Sequence, residues 1–335
     1  MKPRCICAGI LCADIACWPI HHLPVEGELI ETEKVELCLG GCAANVALDL
    51  SRLEVPVYLS GCIGDDVFSD FIVKAVSAPG VDCSFLQRVT NNCPGTVMHV
   101  NVQGQDRRFI CATGANDFYT IDEQLESLIT SPDFSNDEPK VFYLGGFLML
   151  KNLENEQTPK LLKKAQEHGW KTVLDVVLYG NRSYQGAVTP LLPFVDVFMP
   201  NNHEGEKISG LSDSWEQAEF FADCGAKTSV ITQGELGTLY YGEKEKFHAE
   251  IFPVDFIGGA GSGDAFAAGF ITAMLDNRSP EECVVYGSAL GASCVRGIST
   301  TGSVFTKSEL VDFLAANRCE IKQLEGRGKR REERG

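Results

Sequence analysis

Gly258-Gly-Ala-Gly-Ser-Gly-Asp264 runs directly into the helical pattern AFAAGFITAML. Glycines let several backbone N–H groups converge on one anion, and a helix that begins here adds the positive end of its dipole. Asp264 lies beside this loop, where a carboxylate can accept a proton from an alcohol that attacks a terminal phosphate. The segment therefore predicts a phosphate site next to a proton acceptor. A glycine-rich turn in which Asp264 is an ordinary helix N-cap is the alternative.

Outward from this loop, short apolar β-like runs alternate with amphipathic helical patterns along most of the chain. Strands are predicted at residues 5–9, 57–61, 141–144, 172–175, 195–199 and 229–232, and helices at 42–53, 66–78, 154–168 and 214–223. Apolar strands separated by helices are typical of a doubly wound parallel α/β sheet covered on both faces. Ligands of such sheets bind at the carboxyl ends of the strands.

Two segments, approximately residues 14–39 and 93–114, interrupt this alternation because each is β-like without a following helix. In the second segment, residues 96–102 and 107–111 predict a hairpin about Gln103-Gly104-Gln105. We interpret both segments as a small β-sheet lid over the ligand pocket, with ordinary surface hairpins as the alternative. Residues 1–325 would then form one domain that includes the lid. The charged tail at 326–335, GRGKRREERG, is predicted to be disordered.

Composition limits the ligands and the compartment. The 335 residues, 44% of them hydrophobic, are enough for one large α/β domain. A net charge of -17 argues against nucleic acid or an anionic membrane as the main partner, so amides and a metal must neutralise a bound phosphate locally. The 14 cysteines include no C-x-x-C pair, which favours reduced thiols in a cytoplasmic protein. No apolar stretch is long enough to span a bilayer.

Several loops match one family pattern in the right order. LGGCAANVALDLSRL at residues 39–53 and GAGSGDAFAAGF at 259–270 start about 220 residues apart, and the chain resembles the ribokinase-like (PfkB) carbohydrate kinases from about residue 5 to about 314. This resemblance implies a ribokinase-like fold and ATP-dependent phosphorylation of a sugar or sugar-like alcohol, with Mg²⁺. It also implies that Asp264 is the general base and that the amides of Gly261, Ser262 and Gly263 form an anion hole.

The resemblance also implies an acceptor pocket. Asp14 follows the first strand at the family's spacing, and its carboxylate could accept hydrogen bonds from neighbouring sugar hydroxyls; a loop cap is the alternative. Gly40 and Gly41 would let a sugar approach the backbone, and Asn45 on the next helical turn offers a donor and an acceptor. Cys42 stands where some sugar kinases carry a lysine, which weakens the match to ribose-specific members.

A metal and nucleotide site is implied by Pro200-Asn-Asn-His-Glu204, which resembles the family's N-x-x-E motif. Asn201 would contact the nucleotide, and Glu204 would hold Mg²⁺ through water, because Mg²⁺ loses its hydration shell reluctantly. Simple helix capping by Asn201 is the alternative.

A second nucleotide loop is implied by Thr232-Gln-Gly234-Glu-Leu-Gly237, whose glycines would let the adenosine ribose and phosphates lie against the backbone. A plain turn between strands is the alternative for this segment. Ser288, on a later helix, would border the base.

Some questions stay open at the level of sequence. Gly258-Gly259 occupies the place where family members usually have an Asp-Thr pair, so dependence on a monovalent cation such as K⁺ is undecided. A nucleoside kinase of the same fold and a noncatalytic sugar-sensing protein are the alternative functions. Exposed β edges of the lid would allow a homodimer.

Overall fold

The computed structural model describes residues 4–77, 80–105, 108–134 and 138–324. In these ranges the strands are β1 Cys5–Gly9, β2 Cys12–Cys17, β3 Val35–Gly40, β4 Val57–Ile63, β5 Val81–Arg88, β6 Gly95–Val100, β7 Arg108–Ala112, β8 Val141–Gly145, β9 Lys171–Leu174, β10 Val197–Phe198, β11 Thr228–Thr232, β12 Thr238–Gly242, β13 Lys246–Ala249 and β14 Ile321–Gln323. The predicted tail at 326–335 lies outside the described residues.

The same ranges also contain α-helices, which lie between the strands along the chain. They are α1 Cys42–Arg52, α2 Val67–Ser77, α3 Glu123–Thr130, α4 Gln157–Glu167, α5 Gln185–Val188, α6 Asn202–Ser209, α7 Ser214–Asp223, α8 Ser262–Leu275, α9 Pro280–Cys294 and α10 Lys307–Ala316. None of the helices within the described ranges is long and apolar enough to cross a membrane.

The main sheet has ten strands in the order β14-β13-β12-β11-β10-β9-β8-β1-β4-β5. Every neighbouring pair from β11 to β5 is parallel, which confirms the predicted doubly wound parallel α/β sheet. The strands β12, β13 and β14 are instead antiparallel and form one edge. β12 is antiparallel to β11 because the loop between them is too short for the crossover that parallel neighbours need.

The centre of this sheet explains the unbroken apolar runs in the sequence. All five residues of β1 and all five of β8 are buried. Strands that are covered on both faces lose the polar alternation of half-exposed strands. Helix α8 is also buried along most of its length, and a Cβ on Gly269 would overlap the Tyr286 carbonyl of α9. The glycine thus permits the close packing of α8 against α9.

A separate four-stranded sheet, the lid sheet, has the order β3-β2-β6-β7. The pairs β2–β3 and β6–β7 are antiparallel, while β2–β6 is parallel. The strands alternate in their side chains, so Asp14 and the neighbouring Val97 lie on one face and Ile15 with Met98 on the other. The predicted small β-sheet is present, and Asp14 lies within β2 rather than in a loop.

Candidate active site

The predicted base lies on the first turn of α8. The helix begins after Gly261, and the Asp264 carboxylate accepts a hydrogen bond from Asn45 Nδ2 at 2.7 Å. Burial raises the pKa of Asp264 to about 6, hydrogen bonds from Asn45 and Cys42 oppose that rise, and the charge of Asp14 adds to it. This pKa lies close to neutral pH, and a general base is most efficient when its pKa is near the pH at which it works.

The glycine-rich loop before α8 is shaped by its surroundings. Gly261 has a left-handed φ of 80°, and a Cβ there would overlap the Thr300 carbonyl. Ser262 closes a tight turn, with its Oγ donating to Gly259 O at 2.9 Å and its amide lying 3.3 Å from the same oxygen. Gly263 is exposed, with open space where a side chain would be. The Ser262 amide of the predicted anion hole therefore already has a long turn bond.

Asn45, on the helix α1 that follows Gly40 and Gly41 and is called the acceptor helix below, links the predicted acceptor pocket to the predicted base. Thr300 Oγ1 donates to Leu39 O at 2.5 Å and lies 3.3 Å from Asn45 Oδ1. The NH₂ group of the Asn45 amide points to Asp264, to which it donates a hydrogen bond. The predicted acceptor residue and the predicted base are therefore in direct contact.

Asp14, on β2 of the lid sheet, lies against Gly40 in the glycine loop that precedes α1. A Cβ on Gly40 would overlap the Asp14 carboxylate, and a Cβ on Gly41, whose φ is 87°, would overlap the Ile10 carbonyl. Asp14 Oδ2 lies 2.9 Å from His99 Nε2. Three of the predicted acceptor residues thus lie together. The backbone leaves no room for a side chain at Gly41, and a side chain at Gly40 would displace the Asp14 carboxylate.

Sequence reasoning missed Asp175 as a site residue. It lies directly after β9, and its Oδ2 accepts the Gly146 amide at 3.1 Å. One donor atom each from Cys42, Asp175 and Asp264 lie within 4.8 Å of one another. Burial, then the charge of Asp264, raises the pKa of Asp175 to about 7. The available signal was an acidic residue at the carboxyl end of a buried parallel strand.

Asn201 and Glu204 form a capping box at the start of α6. Asn201 Oδ1 accepts the Glu204 amide at 2.9 Å, and Glu204 Oε2 accepts the Asn201 amide at 2.8 Å. Helix capping, the alternative for this segment, is therefore present. Glu204 is also close enough to other acidic side chains of the site to be affected by their charges. Burial, followed by the charges of Asp175 and Asp264, raises the pKa of Glu204 well above its usual range.

These three carboxyl groups are suited to a divalent cation. Burial is the main cause that raises the pKa of each group, and neighbouring charges add to it: Asp264 for Asp175, Asp175 and Asp264 for Glu204, and Asp14 for Asp264. A cation removes this repulsion, and carboxylate oxygens are ligands that Mg²⁺ prefers. Asp175 and Asp264 therefore offer oxygen donors that fit magnesium, whereas the thiol of Cys42, the third member of their cluster, does not.

The second nucleotide loop lies next to the capping box. Thr232, at the end of β11, forms an isolated β-bridge with Asn201. Gly237 has a φ of 89°, and a Cβ there would overlap the Ala249 carbonyl, whereas Gly234 faces open space. Ser288 lies partly buried on α9, away from this bridge in the chain. The structure thus joins Asn201 to Thr232 directly and gives no such contact for Ser288.

A mostly parallel α/β sheet with acidic side chains clustered after its strands is typical of α/β enzymes that bind their ligands at the carboxyl ends of the strands, and comparison with known proteins specifies the family. Residues 2–307 match the model of the pfkB family carbohydrate kinases, so the chain belongs to that family. It is a phosphotransferase with an alcohol group of a carbohydrate as acceptor. The sequence prediction of the family is confirmed.

Individual relatives agree with this assignment. Ribokinase of Haemophilus influenzae is 26% identical over 297 residues, which cover 86% of this chain and 91% of that protein. The 5-dehydro-2-deoxygluconokinase of Photobacterium profundum is 26% identical over 291 residues, 82% of this chain and 85% of that protein. The structure of Arabidopsis thaliana ribokinase complexed with ribose and ATP is similar with a TM-score of 0.78, at 22% identity, over 93% of this chain and 98% of that chain.

Proposed function

We propose that this protein transfers the γ-phosphoryl group of Mg-ATP to a hydroxyl of an unphosphorylated sugar or sugar-like alcohol. The observation that carries the proposal is the contact between Asn45, on the acceptor helix, and Asp264, at the start of the helix that follows the glycine-rich loop. The names of the relatives, which include ribokinase, deoxyribokinase and 5-dehydro-2-deoxygluconokinase, support a sugar as acceptor. Similar solved structures contain ATP, or ATP and Mg²⁺.

Asp264 is the proposed general base. As the acceptor oxygen forms its bond to the γ-phosphorus and the bond to ADP breaks, the hydroxyl proton passes to the Asp264 carboxylate. With a pKa of about 6, this carboxylate is mostly ionised near neutral pH. The amides of Gly261, Ser262 and Gly263, at the positive end of α8, stabilise negative charge on the transferred group.

Magnesium, when bound, neutralises the charge of the nucleotide phosphates. Glu204 would hold it through water, as the capping box leaves one carboxylate oxygen uncommitted to the Asn201 amide. Asp175 is a further candidate because it lies near enough for its charge to raise the pKa of Glu204. Asn201 and Thr232, joined by their β-bridge, would border the nucleotide, together with Gly234, Gly237 and Ser288.

The charges of the pocket favour an acceptor without phosphate. Asp14 and Asp264 are near enough for the charge of the first to raise the pKa of the second, and Asp175 adds a third carboxyl group. A phosphorylated sugar would bring more negative charge to these groups. Hydroxyls, in contrast, donate hydrogen bonds to carboxylates.

The outer face of the lid sheet supports a homodimer. Cross-strand pairing places Leu37, Ile15, Met98 and Ile110 in one row across its four strands. Leu37, Met98 and Ile110 are 41%, 46% and 62% exposed. Contiguous exposed apolar side chains mark protein contact surfaces. We propose that a second copy of this chain covers the row.

Turnover of Asp264→Asn tests the proposed base. The variant should fold and bind ATP, while kcat falls by roughly 10²–10⁴, the usual contribution of a general base. The assay is ADP release from Mg-ATP with D-ribose, D-fructose, ketodeoxygluconate and adenosine, with and without K⁺. Asp255→Asn, on the exposed segment before the glycine-rich loop, is the matched control. Near-normal turnover by Asp264→Asn would refute the role, and wild-type turnover on adenosine alone would favour a nucleoside kinase.

A further inference from the structure

A buried acid–imidazole pair lies on the inner face of the lid sheet. Asp14 on β2 and His99 on β6 are 4% and 5% exposed, and His99 Nε2 lies 2.9 Å from Asp14 Oδ2. The ring of Phe109 on β7 packs edge-on against the His99 ring, with the two ring centroids 4.9 Å apart. The imidazole is therefore held between an aromatic ring and a carboxylate.

The other Asp14 oxygen has no partner. Oδ1 is buried and makes no hydrogen bond with any described group. Leaving a buried charged acceptor unsatisfied is costly, so such an atom calls for a donor from a ligand. The carboxylate lies against Gly40, where any side chain would overlap it, at the start of the loop that leads into the helix of Asn45. The Asp14 carboxylate therefore lies in the part of the proposed site that binds the acceptor sugar.

We propose that His99 is a positioning residue for the acceptor sugar. Its Nε2–H donates to Asp14 Oδ2 and fixes the carboxylate so that Oδ1 is presented to one acceptor hydroxyl. A neutral or a protonated imidazole can supply this donor. The inference rests on the proposed function, because the ligand donor is an acceptor hydroxyl. Within the described residues the side-chain contacts of His99 are with Asp14 and Phe109, so we place its influence on acceptor binding rather than on proton transfer.

This arrangement predicts a selective kinetic effect. His99→Leu keeps an apolar side chain of moderate size against Phe109 but removes the donor. The KM for D-ribose should rise by about 10-fold to 100-fold, the range expected when a hydrogen bond to a charged group is lost. The KM for ATP and the kcat at saturating ribose should change by less than about 3-fold. His99→Gln, which retains an N–H donor, should recover most of the ribose affinity.

Deoxy sugars distinguish positioning from general damage to the lid. The His99→Leu effect should vanish for whichever of 2-deoxy-D-ribose and 3-deoxy-D-ribose lacks the hydroxyl that Asp14 binds. His21→Leu, an exposed lid histidine that contacts Gln103, is the matched control. Equal losses with all three sugars, no recovery in His99→Gln, or a fall in kcat with unchanged KM would each overturn the proposal.

The proposed function and the role of His99 can fail separately. If wild-type protein phosphorylates ribose and His99→Leu has the wild-type KM, only the role of His99 fails. If wild-type protein phosphorylates none of the three sugars, the kinase activity on these acceptors fails. Calorimetric titration of both proteins with the same sugars then decides the role of His99, and equal or absent binding overturns it.

Discussion

Removal of the Asn45 amide should move the acid limb of the pH–rate profile to higher pH. Asn45 Nδ2 donates to Asp264 at 2.7 Å, and this bond lowers the pKa of the carboxyl group against the effect of burial. In Asn45→Ala the charged form of Asp264 loses that donor, while burial and the charge of Asp14 continue to raise the pKa. The base therefore stays protonated to a higher pH than in the wild-type protein.

The expected size of the shift follows from the strength of this bond. A hydrogen bond to a charged group contributes about 1.5–3 kcal/mol, and one pKa unit corresponds to about 1.36 kcal/mol. The limb should thus move up by roughly 1–2 pH units from the wild-type value of about 6. Near pH 7 the variant would then lose about 2-fold to 10-fold in kcat, and most of this loss should be recovered at about pH 9.

The assay is kcat against pH, by ADP release at saturating acceptor and Mg-ATP. Saturation separates the titration of the base from the weaker acceptor binding that Asn45→Ala should also cause. Asn317→Ala, which removes an exposed amide at the end of α10, is the matched control. An acid limb that stays in place or moves to lower pH would contradict the assignment of Asp264 as a base held by Asn45.

Two further predictions concern backbone shape and assembly. Gly261→Ala should lower the free energy of unfolding by at least about 1–2 kcal/mol, because alanine disfavours a φ of 80° and its methyl group would overlap the Thr300 carbonyl. Gly263→Ala, at a position facing open space, should change it by less than about 0.5 kcal/mol in the same denaturant titration. Met98→Glu should convert a dimer into monomers in analytical ultracentrifugation with an unchanged circular dichroism spectrum, and a monomeric wild-type protein would contradict the lid interface.

Much of the architecture could be predicted because it depends on local patterns. Unbroken apolar runs indicated strands covered on both faces, and their alternation with helices indicated the parallel sheet. The antiparallel edge was missed, although β12 follows β11 after a loop too short for a crossover. Asp175 was missed because a single acidic residue after a strand has no spacing signal of its own. His99 was missed for a similar reason, since its partner Asp14 lies on a strand that is not adjacent in sequence.

The sequence by itself determined the alternation of strands and helices in the main sheet and the positions of the glycine-rich loops, and it identified Asp264 and Asn45 as candidate site residues. Only the tertiary structure decided that these two residues touch across 219 positions, and that Asp14 pairs with His99 across 85. The physical reason is that periodicity records which side of each element is buried. Contacts between distant side chains depend on strand order and register, which the packing of the whole chain sets.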